Sequence, residues 1–254
     1  KKTWVRATEL FKQTCALYKK GIEPGDVQQG SIGNCWLMQS IGSVAQYSEK
    51  IESIFYKYNM ELGLYVLSIF YSGKRVLILL DDYFPVTNGK LTYAHAIDGE
   101  MWVPLIEKAF AKLSCGYEQL PGQIAKFSPS TALVLMANGK AQHFSWALAR
   151  QIQNKEPIDR DGLWNRIIEL RKQGSICVVS SRENLDGAFV NSKGLVTYHG
   201  YSILDVKAFP SNLKLLCIRN TWGYVCRLSV CEFVFIHTLC FRLNGMVHGA
   251  TSLK

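Results

Sequence analysis

Apolar residues recur along the chain in two rhythms. Over residues 35–47 (CWLMQSIGSVAQY) they fall at Trp36, Leu37, Met38, Ile41, Val44 and Ala45. That is helical spacing, and the stripe is broad enough to predict a buried helix. Trp102–Leu113 (WVPLIEKAFAKL) repeats the rhythm, with Pro104 tolerated near its start. Residues 161–172 predict another short helix, closed by Gly174. Residues 65–70 and 75–80 are short β-rich runs around Ser72-Gly73 and read as a hairpin. Asp81-Asp82 ends its second arm, and Asn88-Gly89 marks a turn. Pro121-Gly122 breaks the chain and predicts a subdomain boundary. Three more β-rich runs follow, over 175–180, 195–206 and 213–219. The first half therefore reads as mostly helical and the second as mostly sheet, an α+β chain without internal repeats.

Composition narrows the function classes. The chain has 254 residues, 48% hydrophobic and 19% charged, which supports a packed core in one large domain or two modest ones. The net charge of +9 comes from 29 basic residues dispersed along the chain, a solvated basic surface rather than a nucleic-acid patch. Cysteines stand at 15, 35, 115, 177, 217, 226, 231 and 240, with no Cys-x-x-Cys pair, so neither a zinc ribbon nor a dithiol motif is supported. No apolar stretch has the length of a membrane span, and KKTWVRATELFKQ lacks the apolar core of a signal peptide. A cytoplasmic protein with reduced thiols is expected. The chain opens on Lys1 rather than Met, and a piece of a longer protein is the expectation.

The sharpest chemical signal is Gln29-Gly30-Ser31-Ile32-Gly33-Asn34-Cys35-Trp36. Two glycines allow a tight loop whose backbone can approach a substrate. The loop runs into the predicted helix, so Cys35 lies in the first turn, where the dipole and free N–H groups favour a thiolate. Its N–H points to where an oxyanion would form, and Gln29 can offer a side-chain N–H to the same place. His199 lies in GLVTYHGYSI, whose alternation puts Leu195, Thr197, His199, Tyr201 and Ile203 on one strand face. His95, His143, His237 and His248 have no comparable surroundings. Asn220 ends the run over 213–219 and precedes Thr221-Trp222-Gly223. An amide there can accept from an imidazole, and a neighbouring indole can shield that bond.

In chain order these are Cys, His and Asn with an upstream Gln, the papain-like order. The words QGSIGNCWLM, GLVTYHGYSI and IRNTWG, with LLDDYFPVTNGKL and GEMWVPLIEKAFAKLSCGYEQLPG between, resemble the calpain family over roughly residues 20 to 223. The resemblance implies a papain-like cysteine protease core with a helical subdomain (1–122), a β-rich subdomain (123–223) and a cleft between them. It implies Cys35 as nucleophile, His199 as base and acid, Asn220 as orienter, Gln29 as oxyanion donor, and Gly33, Trp36 and Trp222 as support for the cleft. Protein substrates and Ca²⁺ are implied too, with Asp26 and Glu100 as side-chain ligands and Gly21 and Lys19 as carbonyl donors. Secreted papain-like enzymes usually place a disulfide cysteine where Ile32 stands, and its absence fits an intracellular enzyme.

The chain departs from the family pattern at Asn34 (usually Asp), Tyr198 (usually Gly) and Thr221 (usually Pro). Tyr198 is expected to narrow the cleft. Residues 224–254 read as a divergent tail in which Cys226 stands where a ligand glutamate is expected. A sheet lacking its closing strands, with an exposed edge, is the expectation. Two readings stay open: a calcium-dependent cysteine endopeptidase, and an inactive calpain-like binding module. A papain-fold acyl transferase would use the same triad.

Overall fold

The computed structural model of the chain describes residues 2–145, 160–181, 190, 195–210, 213–223, 225–229 and 235–243. Gly194 of the histidine motif, Cys231 and His248 lie outside them. The chain opens with β1 (Thr3–Arg6), α1 (Ala7–Phe11) and β2 (Val27–Gln28). Helices α2 (Cys35–Val44) and α3 (Ser48–Glu52) follow. Then come β3 (Phe55–Asn59), β4 (Leu64–Tyr71), β5 (Lys74–Asp81), β6 (Tyr83–Thr87), β7 (Lys90–Leu91) and β8 (His95–Ala96). Next are α4 (Trp102–Leu113), α5 (Pro129–Ala137), β9 (Gly139–Ser145) and α6 (Arg160–Lys172). The last strands are β10 (Ile176–Ser181), β11 (Gly200–Ala208), β12 (Lys214–Asn220), β13 (Val225–Ser229) and β14 (Phe235–Leu243).

The predicted helices and hairpin are present, but the first half holds more strand than expected. It carries two three-stranded sheets, β1-β6-β7 and β3-β4-β5, beside its helices. The strand predicted to run from 195 starts instead at Gly200, because Tyr198 takes a left-handed conformation at φ 48°. That conformation interrupts the period-two alternation just before His199. Helix α5 gives no amphipathic signal because its residues are apolar all round. Its ends are nonetheless chemically marked. The Ser128 hydroxyl caps it, Pro129 opens it, and left-handed Asn138 closes it.

The expected open sheet is corrected. The second half forms one antiparallel sheet in the order β13-β12-β11-β10-β14-β9. Two strands come from beyond residue 223: β13 extends the β12 edge, and β14 lies between β10 and β9. Backbone groups that an absent strand would leave bare are paired instead.

Alternation on β10 divides the hydrophobic interior. Ile176 and Val178 join the larger core, which α2, α4 and α5 build. Cys177 and Val179 join a smaller core with Trp164, Ile167 and Leu170 of α6 and with Tyr201, Ile203, Leu216 and Ile218. Helix α2 is buried from Trp36 to Val44, its polar residues Gln39, Ser40 and Ser43 included, so it shows no solvent face. It docks on the sheet through Ser202, whose hydroxyl donates to the Gln39 carbonyl at 2.9 Å.

Two contacts fix the loop that leads into α2. A Cβ on Gly30 would stand 2.3 Å from the Tyr93 carbonyl carbon and oxygen, so only glycine fits there. On α4, buried Glu107 accepts from Asn34 Nδ2 at 2.7 Å and from the Ala94 amide at 3.0 Å. Burial pushes this carboxyl up to about 7, while the bonds from Asn34 and Ala94 pull the other way.

Gly30→Ala, forced against backbone, should destabilise the fold by about 2 kcal/mol or more, read from urea unfolding midpoints. Glu107 gives a second prediction. Its folded-state pKa exceeds its unfolded value, so its favourable contribution is complete below about 4.5 and is lost as pH rises through about 7. Unfolding free energy should fall by roughly 3 kcal/mol over that window on this account. Glu107→Leu should flatten the profile measured from pH 4.5 to 8, and an unchanged slope would show that Glu107 is not the group titrating.

Candidate active site

Cys35 is the first residue of α2 and is half-buried. Burial pushes its thiol up, while the backbone N–H groups of Gly200, Trp36 and Cys35 itself pull it down. The Gly200 contact matters most for assembly, because it joins the sulfur to the start of β11, one residue after His199.

His199 is 5% exposed. Its Nε2 lies 2.7 Å from Asn220 Oδ1 and 3.2 Å from Thr221 Oγ1. Asn220 Oδ1 also accepts the Trp222 amide at 3.0 Å, and Thr221 donates its hydroxyl proton to Gln29 Oε1 at 2.7 Å. Both oxygens are therefore acceptors toward the imidazole. Nε2 carries the proton and Nδ1 is left as the basic nitrogen. Burial pulls the His199 pKa down, and the Asn220 bond opposes that. The ring is packed between Trp222, centroid 4.7 Å away at 45°, and Tyr201, 5.1 Å away and edge-on at 89°.

Strand pairing explains how residues 21 apart meet. Tyr201 pairs with Asn220 across β11 and β12, so the start of one strand faces the end of the other. Ser181 holds the histidine backbone from the other side. Its hydroxyl accepts His199 N–H at 2.9 Å, and its own N–H donates to the His199 carbonyl at 2.9 Å.

Gln29 joins the cluster. Its backbone N–H donates to the Thr221 carbonyl at 2.9 Å, and its Nε2 donates to the Ile32 carbonyl at 2.7 Å. One Nε2 proton is thus used within the loop and one is left over. Gly33 is exposed, with open space where a Cβ would stand, and its carbonyl accepts Gly122 N–H at 2.9 Å. Trp36 is buried and anchors α2, donating from Nε1 to the Leu120 carbonyl at 2.8 Å and packing edge-on against Phe110. Tyr198 is 70% exposed in its left-handed turn, which gives a backbone reason for the glycine expected there.

The acids form a second cluster. Glu100 is buried; its Oε1 accepts the backbone N–H groups of Lys19 and Lys20 at 2.7 and 3.2 Å, and its Oε2 accepts Trp102 Nε1 at 2.8 Å. Asp26 accepts the Glu23 amide at 2.8 Å. Burial pushes the Asp26 carboxyl up, and the charges of Glu100, Glu23 and Asp98 add to this. Gly21 has φ +107°, a conformation suited to glycine. Among the described residues, no group of three or more His, Cys, Asp or Glu side chains is placed to hold a metal ion. No described helix is long and apolar enough to cross a membrane.

Sequence reasoning missed the contributions of Thr221, Ser181 and Arg219. Thr221 stood out only as a departure from the family's proline. Ser181 carried no signal. Arg219 is buried, and its Nη2 donates to the carbonyls of Gly25, at 3.0 Å, and Val27.

Known proteins resemble this chain at the level of family. Residues 1–227 match the calpain family cysteine protease domain. The calpain-type cysteine protease DEK1 of Zea mays is 30% identical over 229 residues, which is 87% of this chain and 10% of that protein. The calpain-1 catalytic subunit of Rattus norvegicus is 29% identical over 233 residues, 87% of this chain and 30% of that protein. The chain thus spans only a minor part of the relatives it matches. Bromelain from Ananas comosus in complex with E64 aligns over 95% of this chain and 99% of its own, at TM-score 0.33 and 10% identity. With the family domain matched over nearly its whole length, the chain belongs to the calpain family of cysteine proteases.

Proposed function

We propose that this chain is the catalytic core of a calcium-responsive cysteine endopeptidase that cuts protein substrates through Cys35, His199 and Asn220. The observation that carries the reading is the buried bond from His199 Nε2 to Asn220 Oδ1 at 2.7 Å, packed under Trp222, next to the Gly200 amide that serves the Cys35 sulfur. His199 Nδ1 takes the thiol proton as sulfur attacks the substrate carbonyl. Cys35 N–H and the second Nε2 proton of Gln29 stabilise the oxyanion. The imidazolium gives its proton to the departing amine, leaving a thioester. His199 then activates water, which releases the acid and regenerates the thiol. Asn220 holds the ring in register throughout without adding charge. A cytoplasmic setting suits a nucleophile that must remain a thiol.

With no three-carboxylate cluster among the described residues, a hard cation near Asp26 would need backbone carbonyls beside its two acids. Burial first, then the charges of Glu100, Glu23 and Asp98, push the Asp26 carboxyl up, and a bound cation would offset both. Asp26 and Glu100 would hold Ca²⁺ with the carbonyls of Gly21 and Lys19. The ion would add positive charge beside a loop that Glu100 already holds through the Lys19 and Lys20 N–H groups. Arg219, which donates to Gly25 and Val27 and precedes Asn220, would carry that change to the active site.

A specific observation favours the second reading, a calpain-like binding module without activity. Burial biases both Cys35 and His199 toward their neutral forms. Labelling with a thiol-directed epoxide, mapped by peptide mass spectrometry, separates the two. Cys35 should react in preference to exposed Cys115, and faster with calcium. His199→Ala should lower peptide turnover by about a thousandfold or more, and Asn220→Ala by roughly ten- to a hundredfold. A folded protein whose Cys35 stays unlabelled with and without calcium sinks the protease reading.

Calcium binding is checked without activity. At about a hundred times its dissociation constant the ion should raise unfolding free energy by about 2.7 kcal/mol. Asp26→Asn should remove that gain in thermal melts. A wild-type melt insensitive to millimolar calcium discards the cation while leaving the triad untouched.

A further inference from the structure

Asn34 occupies the N-cap of α2, where an asparagine ordinarily turns its side-chain oxygen onto the N–H groups of the first turn. Here it makes no such bond. Its Nδ2 donates to Glu107 Oε1 at 2.7 Å, and its Oδ1 is buried without a hydrogen-bond partner. Asn34 is fully buried and Glu107 is 1% exposed. The carboxylate is held from its other side by the Ala94 amide at 3.0 Å, so it cannot follow Asn34 toward the helix. The 2.7 Å bond to Glu107 Oε1, an oxygen that accepts in either protonation state, holds the amide off the helix end. Leu37 N–H donates to the Asn34 carbonyl at 2.9 Å, and the N–H groups of Cys35 and Trp36 are left for another acceptor. The N–H groups of Cys35 and Trp36 act on the Cys35 sulfur.

We infer that Glu107 is a positioning residue that withholds the Asn34 cap, so that the first-turn donors of α2 serve the Cys35 thiolate and the oxyanion formed beside it. The inference rests on the reading of Cys35 as nucleophile. A filled cap and a thiolate compete for the same N–H groups, and a helix end spent on its own cap offers less to an anion. The arrangement gives up an ordinary source of helix stability in favour of reactivity. The buried Oδ1 left without a partner is the visible sign of that exchange.

Two substitutions at one position separate this role from plain packing. Asn34→Ser and Asn34→Ala both remove the bond to Glu107, but serine caps a helix and alanine does not. Asn34→Ser should therefore be the more stable variant and the less reactive one. The readout is the rate of Cys35 alkylation by iodoacetamide from pH 5 to 9 in the full chain, followed by peptide mass spectrometry. The thiolate titration of Asn34→Ser should lie about one pH unit above that of Asn34→Ala, making it roughly tenfold slower on the acid side. Glu107→Leu, which releases the amide, should resemble Asn34→Ser, and adding Asn34→Ala to it should restore the acid-side rate. Equal alkylation of the Ser and Ala variants, or reactivity in the order of their stabilities, overturns the withheld cap and leaves Cys35 as nucleophile. A wild-type Cys35 no faster than Cys115 at every pH overturns the nucleophile reading and this inference together.

Discussion

Helix α2 meets β11 where the Gln39 side chain lies over Gly200. A Cβ there would stand 2.5 Å from Gln39 Oε1, so the buried amide end of the Gln39 side chain rests on bare strand backbone. Two residues on, the Ser202 hydroxyl donates to the Gln39 carbonyl. One contact is steric and the other polar, and together they leave the helix a single register along the strand. Cys35 lies one turn before Gln39 on the same helix face, and His199 lies one residue before Gly200. The spacing of Cys35 and His199 thus depends on two buried side-chain contacts between helix and strand, through Gln39 and Ser202. The Gln39 amide is buried with neither polar atom bonded, which costs on the order of 1–3 kcal/mol per orphaned group and is offset by packing.

Arg219 extends this rigidity to the acidic loop. Burial pulls its guanidinium down to about 10, and the charge of Asp26 opposes that fall. Its bonds to the Gly25 and Val27 carbonyls tie β12 to the segment that leads into β2. The asparagine that orients His199 follows this arginine directly in the chain. Charge at Asp26 and position at Asn220 are therefore linked through one buried side chain.

Local words in the sequence announced the parts whose chemistry is local. The glycine loop and the start of α2 were legible around Cys35 because a tight turn feeding a helix needs particular residues in order. Asn220 and Trp222 were legible from a strand end followed by a turn. What stayed hidden depends on partners distant along the chain. Glu107 is 73 residues from Asn34, and Arg219 is 192 from Val27. Helix α5 was missed because burial on all sides erases amphipathic rhythm. The early start assigned to β11 failed at Tyr198, where a left-handed residue breaks an otherwise convincing alternation. Residues past 223 looked foreign to the family by composition, yet pairing in a sheet asks only for backbone and tolerable side chains.

The seat of β14 between β10 and β9 bears on how the molecule comes into being. His237 pairs with Ser145 and Leu243 with Gly139, so β9 emerges from the ribosome nearly a hundred residues ahead of its neighbour. Until the chain reaches residue 243, β9 cannot join that sheet, whereas the layer built on α2, α4 and the β4–β5 hairpin draws on earlier residues. Long-range pairing of this kind is slow and leaves strand edges bare in the interim. The nascent protein would thus hold a formed half bearing Cys35 beside an unfinished sheet bearing His199, and the two would be complete together only once β14 is in place.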